Sequence, residues 1–591
     1  MKFKLLTGFI ILGITFSYAQ VLPANRSVKW GLAGYRGSIP NYSTVVDIHT
    51  YGGVGNGVNA NDSALLNAIN SLSGANGVIY FSAGTYVFHS AVNLRSGLIL
   101  RGTSSDSTTL KFDFGSGSTS SAINIGGNST TTTTVLTSNA IRDSSFIYVN
   151  DATGLTAGDY LKLSFNDSSI LFSSWAYGSV GQIVKIASIA TNKIVLESPL
   201  RLDYDLSKNP KATKLNMTTG VGIECLKVQR VDTTVGQTST IRYNYSAQCW
   251  VSGIESYEDN FAHVEINNST NISVKGSYFH DAFAFGGNGQ GYGALCQVTS
   301  GECLIENNIF KHLRHSMIAQ AGANGNVYGY NYSIEPNWTE PNLPANSAGD
   351  MVLHGNYTYA NLFEGNIGQN IVVDDSHGKN GPYNTYFRNR AELYGIFMNT
   401  NPASDNENFV GNEITNGGFA LGFYYINGTG NFEYGNNVRG TIYATGTDSL
   451  TDQSYYYSAV PAFLQNTTWP SVGIPNTINT GTIPAKERYM VADYTTCSTP
   501  SVTTNLNERP LFSDHLTLFP NPSHELIYVQ NFDTHLPLHL FMYDCIGNVV
   551  GTFSVMSSTQ SIDVSGYAKG IYFIKAISAD KNYQPIKLIV Q

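Results

Sequence analysis

The chain of 591 residues carries 33 Lys and Arg against 42 Asp and Glu, for a net charge of −9, and only 13% of its residues are charged. This composition excludes coiled coils and long-helix proteins, which are rich in charged helix formers. It also lacks the runs of Lys and Arg that a nucleic-acid binder needs, so we expect no nucleic-acid partner. With 42% hydrophobic residues, the chain has ample material for a packed core.

The N-terminus has the pattern of an export signal. Lys2 and Lys4 precede an apolar run over residues 5–16, and the segment Ser17-Tyr18-Ala19 ends in a small residue before Gln20. The apolar run is shorter than the roughly 20 residues that span a bilayer. We therefore predict a cleaved signal peptide over residues 1–19 rather than a membrane anchor.

Residues 44–112 combine a Gly-rich turn, a short amphipathic segment and strand-like phrases. The turn is Gly52-Gly53-Val54-Gly55-Asn56-Gly57, the amphipathic segment follows Asn61, and Gly84-Thr85-Tyr86 lies in a strand-like phrase. This arrangement resembles the N-terminal cap and first coils of the pectate-lyase-like superfamily. The resemblance implies an all-β fold, a right-handed parallel β-helix, whose cap and first coils occupy residues 20–130.

Residues 131–205 have a different pattern. Short alternating phrases such as 145–149 and 182–186 are separated by turn residues, including Gly154 and Gly158. Such phrases are typical of a small antiparallel sheet. We predict a small β-barrel inserted into the β-helix, which either borders a cleft or only covers the core.

A short phrase recurs through the middle of the chain, in which a few apolar residues are followed by Gly or Asn and then by more apolar residues. With Gly253 as the first member, the markers fall at 253, 276, 307, 331, 366, 389, 412 and 436, and most neighbouring markers are separated by nearly the same interval. Strand-length phrases of fixed period, stacked about 4.8 Å apart, form a continuous core. Asn or Gly at one position per coil suits a left-handed turn, and stacked Asn side chains can form a ladder. We therefore predict the β-helix core and its substrate groove over residues 206–490, and not a helical solenoid.

Two intervals of this repeat are longer than the others. They lie between markers 276 and 307 and between markers 331 and 366. The extra residues are the Gly-rich segment 285–293 and the Pro-rich segment 335–344. On a solenoid, such excursions often build the binding face, so we expect both to border the groove.

The six cysteines of an exported chain permit disulfides. Cys225 and Cys249 are separated by one ordinary interval of the repeat, which corresponds to one coil. Residues stacked one coil apart lie at about the Cα separation that a disulfide requires. The spacing predicts either a Cys225–Cys249 disulfide or two buried free thiols.

The C-terminal residues form a separate segment after a linker over residues 491–512. Short alternating strands are separated by turns such as Phe519-Pro520-Asn521-Pro522 and Tyr543-Asp544-Cys545-Ile546-Gly547. This segment closely resembles the C-terminal sorting domain of type IX secretion cargo in Bacteroidetes-type bacteria. The resemblance implies a β-sandwich over residues 513–591, a partner in the secretion machinery, and export across the outer membrane, with surface attachment or release. A carbohydrate-binding or spacer β-sandwich is the alternative.

Charged and histidine residues concentrate between 311 and 392, beside the two insertions. Because coils stack, residues at equivalent positions of successive coils line one groove. The candidate proton-transfer and cationic residues are Lys311, Arg314, His315, His354, His377, Lys379, Arg388 and Arg390. The candidate metal ligands are Asp374 and Asp375, and the candidate sugar-binding residues are Tyr292, Trp338, Tyr357 and Glu392. Structural roles remain open for them, such as pairing of Arg388 and Arg390 with Glu364 or Glu392.

These residue types suit a polysaccharide lyase. A lyase needs a cation to neutralise the uronate carboxylate, a base that removes the C5 proton, and an acid that protonates the leaving oxygen. The resemblance to the superfamily implies calcium held by stacked acidic residues, with Arg or Lys as the base. Asp374 and Asp375 would offer oxygen ligands to Ca²⁺, and Arg388 or Arg390 would hold a carboxylate.

We therefore predict a secreted enzyme that cleaves an acidic, uronate-containing polysaccharide by β-elimination. A glycoside hydrolase on the same β-helix is one alternative; it needs two carboxylates across the scissile bond, and only Asp374-Asp375 followed by His377-Gly378 is loosely similar to polygalacturonase-type enzymes. A non-catalytic adhesin or glycan-binding surface protein is the other. The expected partners are the polysaccharide and the secretion machinery, and we expect a monomer.

Overall fold

The structure is a computed structural model that describes residues 20–115, 117–234, 236–464, 468–473, 481–497, 511–512, 516–531, 538–544, 548–557, 559–577, 582–583 and 586–591. The chain divides into two compact units, one within residues 1–499 and one within residues 500–591. The predicted signal peptide, residues 498–510 of the predicted linker, and Cys545 lie outside the described residues.

The larger unit is a parallel β-helix, and its first sheet contains one strand from each coil. All neighbours in this sheet pair in parallel. In spatial order its strands are Val45–Asp47, Gly77–Phe81, Leu98–Gly102, Gly222–Glu224, Ser246–Ser252, Thr270–Lys275, Leu304–Glu306, Val327–Gly329, Leu362–Glu364, Thr385–Phe387, Asn408–Val410 and Phe432–Tyr434, with Thr218–Thr219 pairing beside Ser246–Ser252.

The second sheet contains two further series of strands. The first series is Asn56–Ala60, Gly84–Phe88, Thr108–Phe112, Lys227–Arg230, Glu255–Asp259, Tyr278–Ala282, Ile309–Lys311, Tyr332–Ile334, Ile367–Asp374, Arg390–Met398, Glu413–Ile414 and Asn436–Val438, with Thr441–Tyr443 antiparallel to the last. The second series is Val92–Leu94, Ile123–Gly126, Ile241–Asn244, Ala262–Asn267, Tyr292–Gln297, His315–Ala319, Met351–His354 and Phe423–Tyr425. Ile367–Asp374 and Arg390–Met398 are long enough to belong to both series. The outer face of the second series carries the candidate active site.

An antiparallel sheet is inserted between the third and fourth coils. In spatial order its strands are Phe146–Tyr148, Lys193–Leu196, Gly181–Ala190, Tyr160–Ser164, Lys211–Asn216 and Asn128–Val135. A bridge between Leu136 and Val149 links the two end strands, so the sheet closes on itself. Its own apolar cluster includes Leu161, Leu163 and Val184.

Helices are few and short. The α-helices are Asp62–Ser71 and Pro484–Met490, and the 3₁₀ helices are Trp30–Leu32, Ile48–Tyr51, Ser174–Ala176, Leu206–Lys208, Ala345–Ser347 and Ala462–Leu464. Within the described ranges, no helix has the length and apolar character needed to cross a membrane.

The turn between the first sheet and the first series has two adjacent recurring positions. The first position has a positive φ of 50° to 66°, and its residues are Gly253, Gly276, Asn307, Tyr330, Gly365, Arg388, Gly411 and Gly435. The second position holds a ladder of asparagines, in which each side-chain amide donates to the side-chain oxygen of the asparagine on the next coil over 2.9–3.1 Å. The ladder consists of Asn308, Asn331, Asn366, Asn389, Asn412 and Asn436. The repeat read from the sequence did not distinguish these two positions. Its markers 253, 276 and 307 are left-handed residues, and those from 331 onward are ladder residues. Asparagine occurs at both positions because it tolerates the left-handed region.

Inside the β-helix, equivalent residues of successive coils also stack. Tyr328, Phe363, Tyr386 and Phe409 form a column with ring centroids 4.6–5.4 Å apart and planes within 14° of parallel. All four are fully buried. The column and the ladder repeat the same coil-to-coil contact, so together they fix the register in which outward residues align.

The predicted Cys225–Cys249 disulfide is wrong. Cys225 is bonded to Cys497, 272 residues away in sequence, while Cys249 is a buried free thiol, as are Cys296 and Cys303. The coil spacing could not reveal this partner, because Cys497 lies in the segment that returns along the β-helix after its last coil.

We expect non-reducing peptide mapping to recover Cys225 linked to Cys497. Alkylation of the native protein should leave Cys249 unmodified, because its side chain is buried, and label it only after unfolding. Recovery of a Cys225–Cys249 peptide would contradict the structure.

The second unit consists of two mainly antiparallel sheets. One contains Leu511–Phe512, Asn582–Tyr583, Gly570–Ile577, Leu538–Tyr543, Val549–Val555 and Ile586–Val590, and the other contains Leu516–Phe519, Leu526–Asn531 and Thr559–Asp563. Ile527, Leu540, Ile574 and Leu588 are among the apolar side chains buried in its core. The alternating pattern of the tail is thus that of a small β-sandwich.

Candidate active site

A groove crosses the outer face of the second series of strands. Its larger cavity has a volume of about 1050 Å³. Trp175 of the inserted sheet lines one part of it, and residues 287–289 of the Gly-rich insertion line another. The cavity reaches His354 and His377 at one end. Both the inserted domain and the Gly-rich insertion therefore border the groove.

Histidines from three successive coils meet at this end of the groove. His354 pairs in strand register with Asp374 on the next coil, and its Nδ1 makes a short contact with the Asp374 carboxylate. The rings of His354 and His377 lie 4.9 Å apart, edge to face, and the rings of His315 and His354 lie 5.5 Å apart. Tyr292, in register with His315, has its ring 5.3 Å from that imidazole. The stacking of coils thus builds one cluster from residues far apart in sequence.

The local environment moves the protonation equilibria of this cluster in different directions. Burial raises the pKa of Asp374, but the charge and hydrogen bond of His354 and the hydrogen bonds from Ser376 outweigh it, so the pKa lies well below the ordinary range. Burial and the nearby charge of His354 lower the pKa of His377. Burial, with the charges of Arg314 and His354, lowers the pKa of His315 strongly. At neutral pH the cluster therefore offers the Asp374 carboxylate and neutral imidazoles at His315 and His377.

Arg314 is a buried cation beside the cluster. Its Nη1 donates to the Gly286 carbonyl over 2.6 Å, and its guanidinium lies 5.7 Å from the ring of Tyr292 and 5.8 Å from that of Trp338. The residue is only 6% exposed, yet none of the described carboxylates forms an ion pair with it. A guanidinium held in this way is suited to bind an anion.

A row of acid and amide side chains continues along the floor of the larger cavity. Gln320 donates to Gln297 over 2.5 Å, and Gln297 donates to Glu265 over 3.2 Å. Glu265 also pairs with Arg242 at 3.3 Å and accepts from Ser239 over 2.6 Å. The row offers hydroxyl-binding groups suited to a sugar polymer. Sequence inspection had missed it, although the coil spacing would align these positions once the strand register is known.

A second cavity, of about 500 Å³, adjoins the histidine cluster. Arg314, His315 and Asp374 line the side that adjoins the cluster. Trp338, Leu343 and other residues of the Pro-rich insertion, together with aromatic residues of later coils, line the rest. The Pro-rich insertion therefore also borders the groove, as its length predicted.

The structure thus brings together seven of the residues selected from the sequence. These are Tyr292, Arg314, His315, Trp338, His354, Asp374 and His377. The other candidates line neither cavity.

Four of the candidate cations are engaged elsewhere. Lys311 lies on the first series, 3.7 Å from Glu335, and Lys379 pairs with Asp405 at 2.9 Å on the surface. Arg388 lies in the ladder turn and Arg390 follows it, so neither borders the groove. Arg388 donates to the Asp452 carbonyl over 2.8 Å, and Arg390 pairs with Glu413 at 2.9 Å, with Glu392 at 3.8 Å.

The remaining three candidates have structural contacts. Glu392 pairs with Lys486 at 2.6 Å. Tyr357 packs against the core of the inserted sheet, with its ring 6.0 Å from Tyr359. Asp375 accepts from the backbone of Asn401 over 3.0 Å.

The residues at Asp374 and Asp375 do not fit a calcium ion as they stand. The Asp374 carboxylate is already occupied by His354, by the backbone and hydroxyl of Ser376 at 2.8 Å, and by Asn399 at 3.0 Å. In the described part of the chain, no three acidic, histidine or cysteine side chains converge as a metal site requires. Calcium at these two residues stays a prediction.

Two family models match separate parts of the chain. The model described as rhamnogalacturonase A/epimerase, pectate lyase-like, matches residues 45–167, and the model described as a secretion system C-terminal sorting domain matches residues 517–591. Together with the observed coils, they define a pectate-lyase-like parallel β-helix protein with a type IX C-terminal sorting domain. The sorting domain indicates secretion across the outer membrane, to the cell surface or the extracellular space.

Among individual proteins, the chain is similar to β-agarase A of Zobellia galactanivorans, with 38% identity over 74 residues, which are 12% of this chain and 13% of that protein. The tailspike protein gp49 of Pseudomonas phage LKA1 is similar in structure, with 15% identity and a TM-score of 0.46 over 62% of this chain and 63% of that one. The A-module of mannuronan C-5 epimerase AlgE4 from Azotobacter vinelandii has 11% identity and a TM-score of 0.30 over 68% of this chain and 92% of that one. At these identities the likeness to the solved structures is one of fold only.

Proposed function

We propose that this protein is a carbohydrate-active enzyme that cleaves an acidic, uronate-containing polysaccharide by β-elimination. The observation that carries the proposal is the buried Arg314 guanidinium, which has no carboxylate partner among the described residues and lies beside the His354–Asp374 pair. A buried cation is stabilised by a counter-charge, and a uronate carboxylate supplies one. The larger cavity continues from this cluster along the Gln320, Gln297 and Glu265 side chains of earlier coils, as a polymer requires.

Each part of an elimination has a candidate residue in the cluster. Arg314 binds the uronate carboxylate and thereby makes the C5 proton more acidic. His377, neutral because of its lowered pKa, accepts that proton. The electron pair of the C5–H bond forms the C4–C5 double bond as the C4–O bond breaks. His354, whose Nδ1 contacts the Asp374 carboxylate, is the residue that donates a proton to the leaving oxygen.

Hydrolysis is less well supported by the same residues. A hydrolase needs one carboxyl that stays protonated as the general acid, which requires a raised pKa. The pKa of Asp374 is instead lowered, and Glu265 is held by Arg242 and by amide donors. The acidic residues described in the groove therefore suit electrostatic and positioning roles.

Incubation of the secreted protein with a panel of uronate polysaccharides tests the proposal. We expect ultraviolet absorbance from an unsaturated product and a matching number of new reducing ends. New reducing ends without absorbance would show a hydrolase, a change in uronate stereochemistry without cleavage would show an epimerase, and retention on the polymer without any reaction would show a binding protein. Each of these three results overturns the proposed lyase.

The pH dependence of kcat/KM gives a separate prediction. A base must be deprotonated to accept a proton, so activity is present above the pKa of His377 and is lost as the pH falls through it. Because that pKa lies below the ordinary value of about 6.5, full activity should extend below this value before it declines on the acidic side. An acidic decline that begins above this value contradicts the role of His377, whereas a decline on the basic side would report the proton donor.

A further inference from the structure

The second cavity differs in character from the rest of the groove. Its volume of about 500 Å³ is in the range of sites that hold a small ligand, roughly 300–1,000 Å³. Apart from Arg314, His315 and Asp374, its walls are largely apolar, with Leu343 and Pro344 from the Pro-rich insertion and Val372, Phe397 and Phe423 from successive coils. A cavity of this size takes a whole sugar unit rather than a single methyl group.

The polar side chains of these walls already have partners within the protein. The contacts are Ser347 Oγ and Trp338 Nε1 to the Pro344 carbonyl (2.7 and 3.2 Å), Tyr394 OH to Asn346 Oδ1 (3.2 Å), and Ser376 Oγ and Asn399 Nδ2 to the Asp374 carboxylate (2.8 and 3.0 Å). The hydroxyls of an unsubstituted sugar placed here would lose their hydrogen bonds to water and find few free hydrogen-bond partners in the walls. Unpaired hydroxyls oppose binding, so an unsubstituted unit fits this cavity poorly.

We infer that this cavity is a subsite for an O-acetylated sugar unit of the polymer. An acetyl ester replaces a hydroxyl donor with an apolar methyl group and a carbonyl acceptor, which matches the apolar walls and the donor-only guanidinium of Arg314. Among the described lining residues, Arg314 is the only Lys or Arg, so a sulfated unit would find no second cation in the cavity. The assignment rests on the proposed function in one respect, namely that the occupant belongs to the polysaccharide substrate.

Because the cavity adjoins the histidine cluster, the proposed subsite would select which polysaccharide is bound for cleavage. Arg314, His315 and Asp374 line the cavity, and Asp374 contacts His354 of the larger cavity. A unit held here is therefore next to the bond that the cluster would attack. Acetylation at this unit would raise affinity without any part in the proton transfers.

Binding of two monosaccharide probes tests this inference. The probes are the methyl glycoside of galacturonic acid and the same glycoside acetylated at its ring hydroxyls, titrated into the full-length His377→Ala variant and followed by saturation-transfer NMR. We expect about four- to fifteenfold tighter binding of the acetylated probe, the ratio for burial of one or two methyl groups, with the strongest saturation on the acetyl methyls. Equal binding, or binding of neither probe, overturns the inference.

Variants of exposed wall residues show where the preference arises. Phe423 and Leu343 are 45% and 57% exposed, so Phe423→Ser and Leu343→Ser should fold normally and reduce the preference to near unity. Phe419→Ser is the matched control, because Phe419 is fully exposed and lines neither cavity, and it should keep the preference. A preference that survives both wall variants, or tighter binding of a deoxy-sugar glycoside than of the acetylated probe, overturns the assignment. The binding titration uses a variant without the proposed base and therefore does not depend on cleavage. A failed cleavage assay with the unaltered protein would count against the lyase and not against this subsite.

Discussion

Replacement of His377 by alanine is expected to lower kcat/KM on the uronate polymer by about 10²- to 10⁴-fold, the range for loss of a positioned general base. The imidazole is partly exposed at the end of the larger cavity, and its lowered pKa keeps it neutral at the pH where an elimination must run. Since the base acts in the transition state, the loss should fall on kcat with KM little changed. Steady-state measurement of unsaturated product checks both parameters.

A matched control separates this effect from a general change in charge on the same loop. Lys379 is two residues away, pairs with Asp405 on the surface and lines neither cavity, so Lys379→Ala should keep kcat/KM within about twofold. Thermal unfolding should be nearly unchanged in both variants, because both side chains are partly or largely exposed. If His377→Ala retains full activity while folded, the base lies elsewhere in the cluster and the proposed step is wrong.

The fold was largely readable from the sequence because a β-helix repeats the same contact in every coil. A marker that recurs at a nearly constant interval is enough to predict stacked strands, since no isolated phrase of that length can bury its own face. The sequence could not distinguish the left-handed residue from the ladder residue next to it. Asn307 and Asn308 are adjacent asparagines, and only the backbone φ of one and the hydrogen bonds of the other assign them.

The site was predictable only in part, because proximity along the chain does not say which face a side chain occupies. Arg390 follows Asp374 closely in sequence, but it lies on the first series, where Glu413 pairs with it at 2.9 Å. His354 and Asp374 are farther apart along the chain and touch, because the strand register places them opposite each other. Glu265 and Gln297 were missed for the same reason. Their role depends on a register that residue types alone do not encode.

Removal of one asparagine from the ladder is expected to lower the stability of the β-helix strongly. Asn366→Ala is expected to lower the free energy of unfolding of the β-helix by about 3–6 kcal/mol, because the side chain serves both neighbouring coils. It accepts from the backbone and side-chain amides of Asn331, each at 2.9 Å, and donates to Asn389 at 2.9 Å and to the Tyr328 carbonyl at 2.8 Å. Alanine would remove all four hydrogen bonds and leave the Asn331 backbone N–H without its acceptor and the Tyr328 carbonyl without this donor, at a cost of about 1–3 kcal/mol for each unpaired group. The Asn331 side-chain amide keeps the Ile305 carbonyl, and the Asn389 side-chain oxygen keeps the backbone N–H of residue 366. Urea unfolding followed by circular dichroism measures the loss.

The control for this variant removes an asparagine that has no such neighbours. Asn128 is exposed at the start of an end strand of the inserted sheet, so Asn128→Ala should change stability by no more than about 0.5 kcal/mol. Hydrogen exchange adds a local readout: the backbone N–H of Asn331 should lose protection in Asn366→Ala, because its acceptor is the removed side chain. Equal stability of the two variants would mean that backbone pairing alone holds the coils in register. In that case the ladder would follow from the coil geometry and would not help to set it, and the alignment of His354 with Asp374 would depend on the strands only.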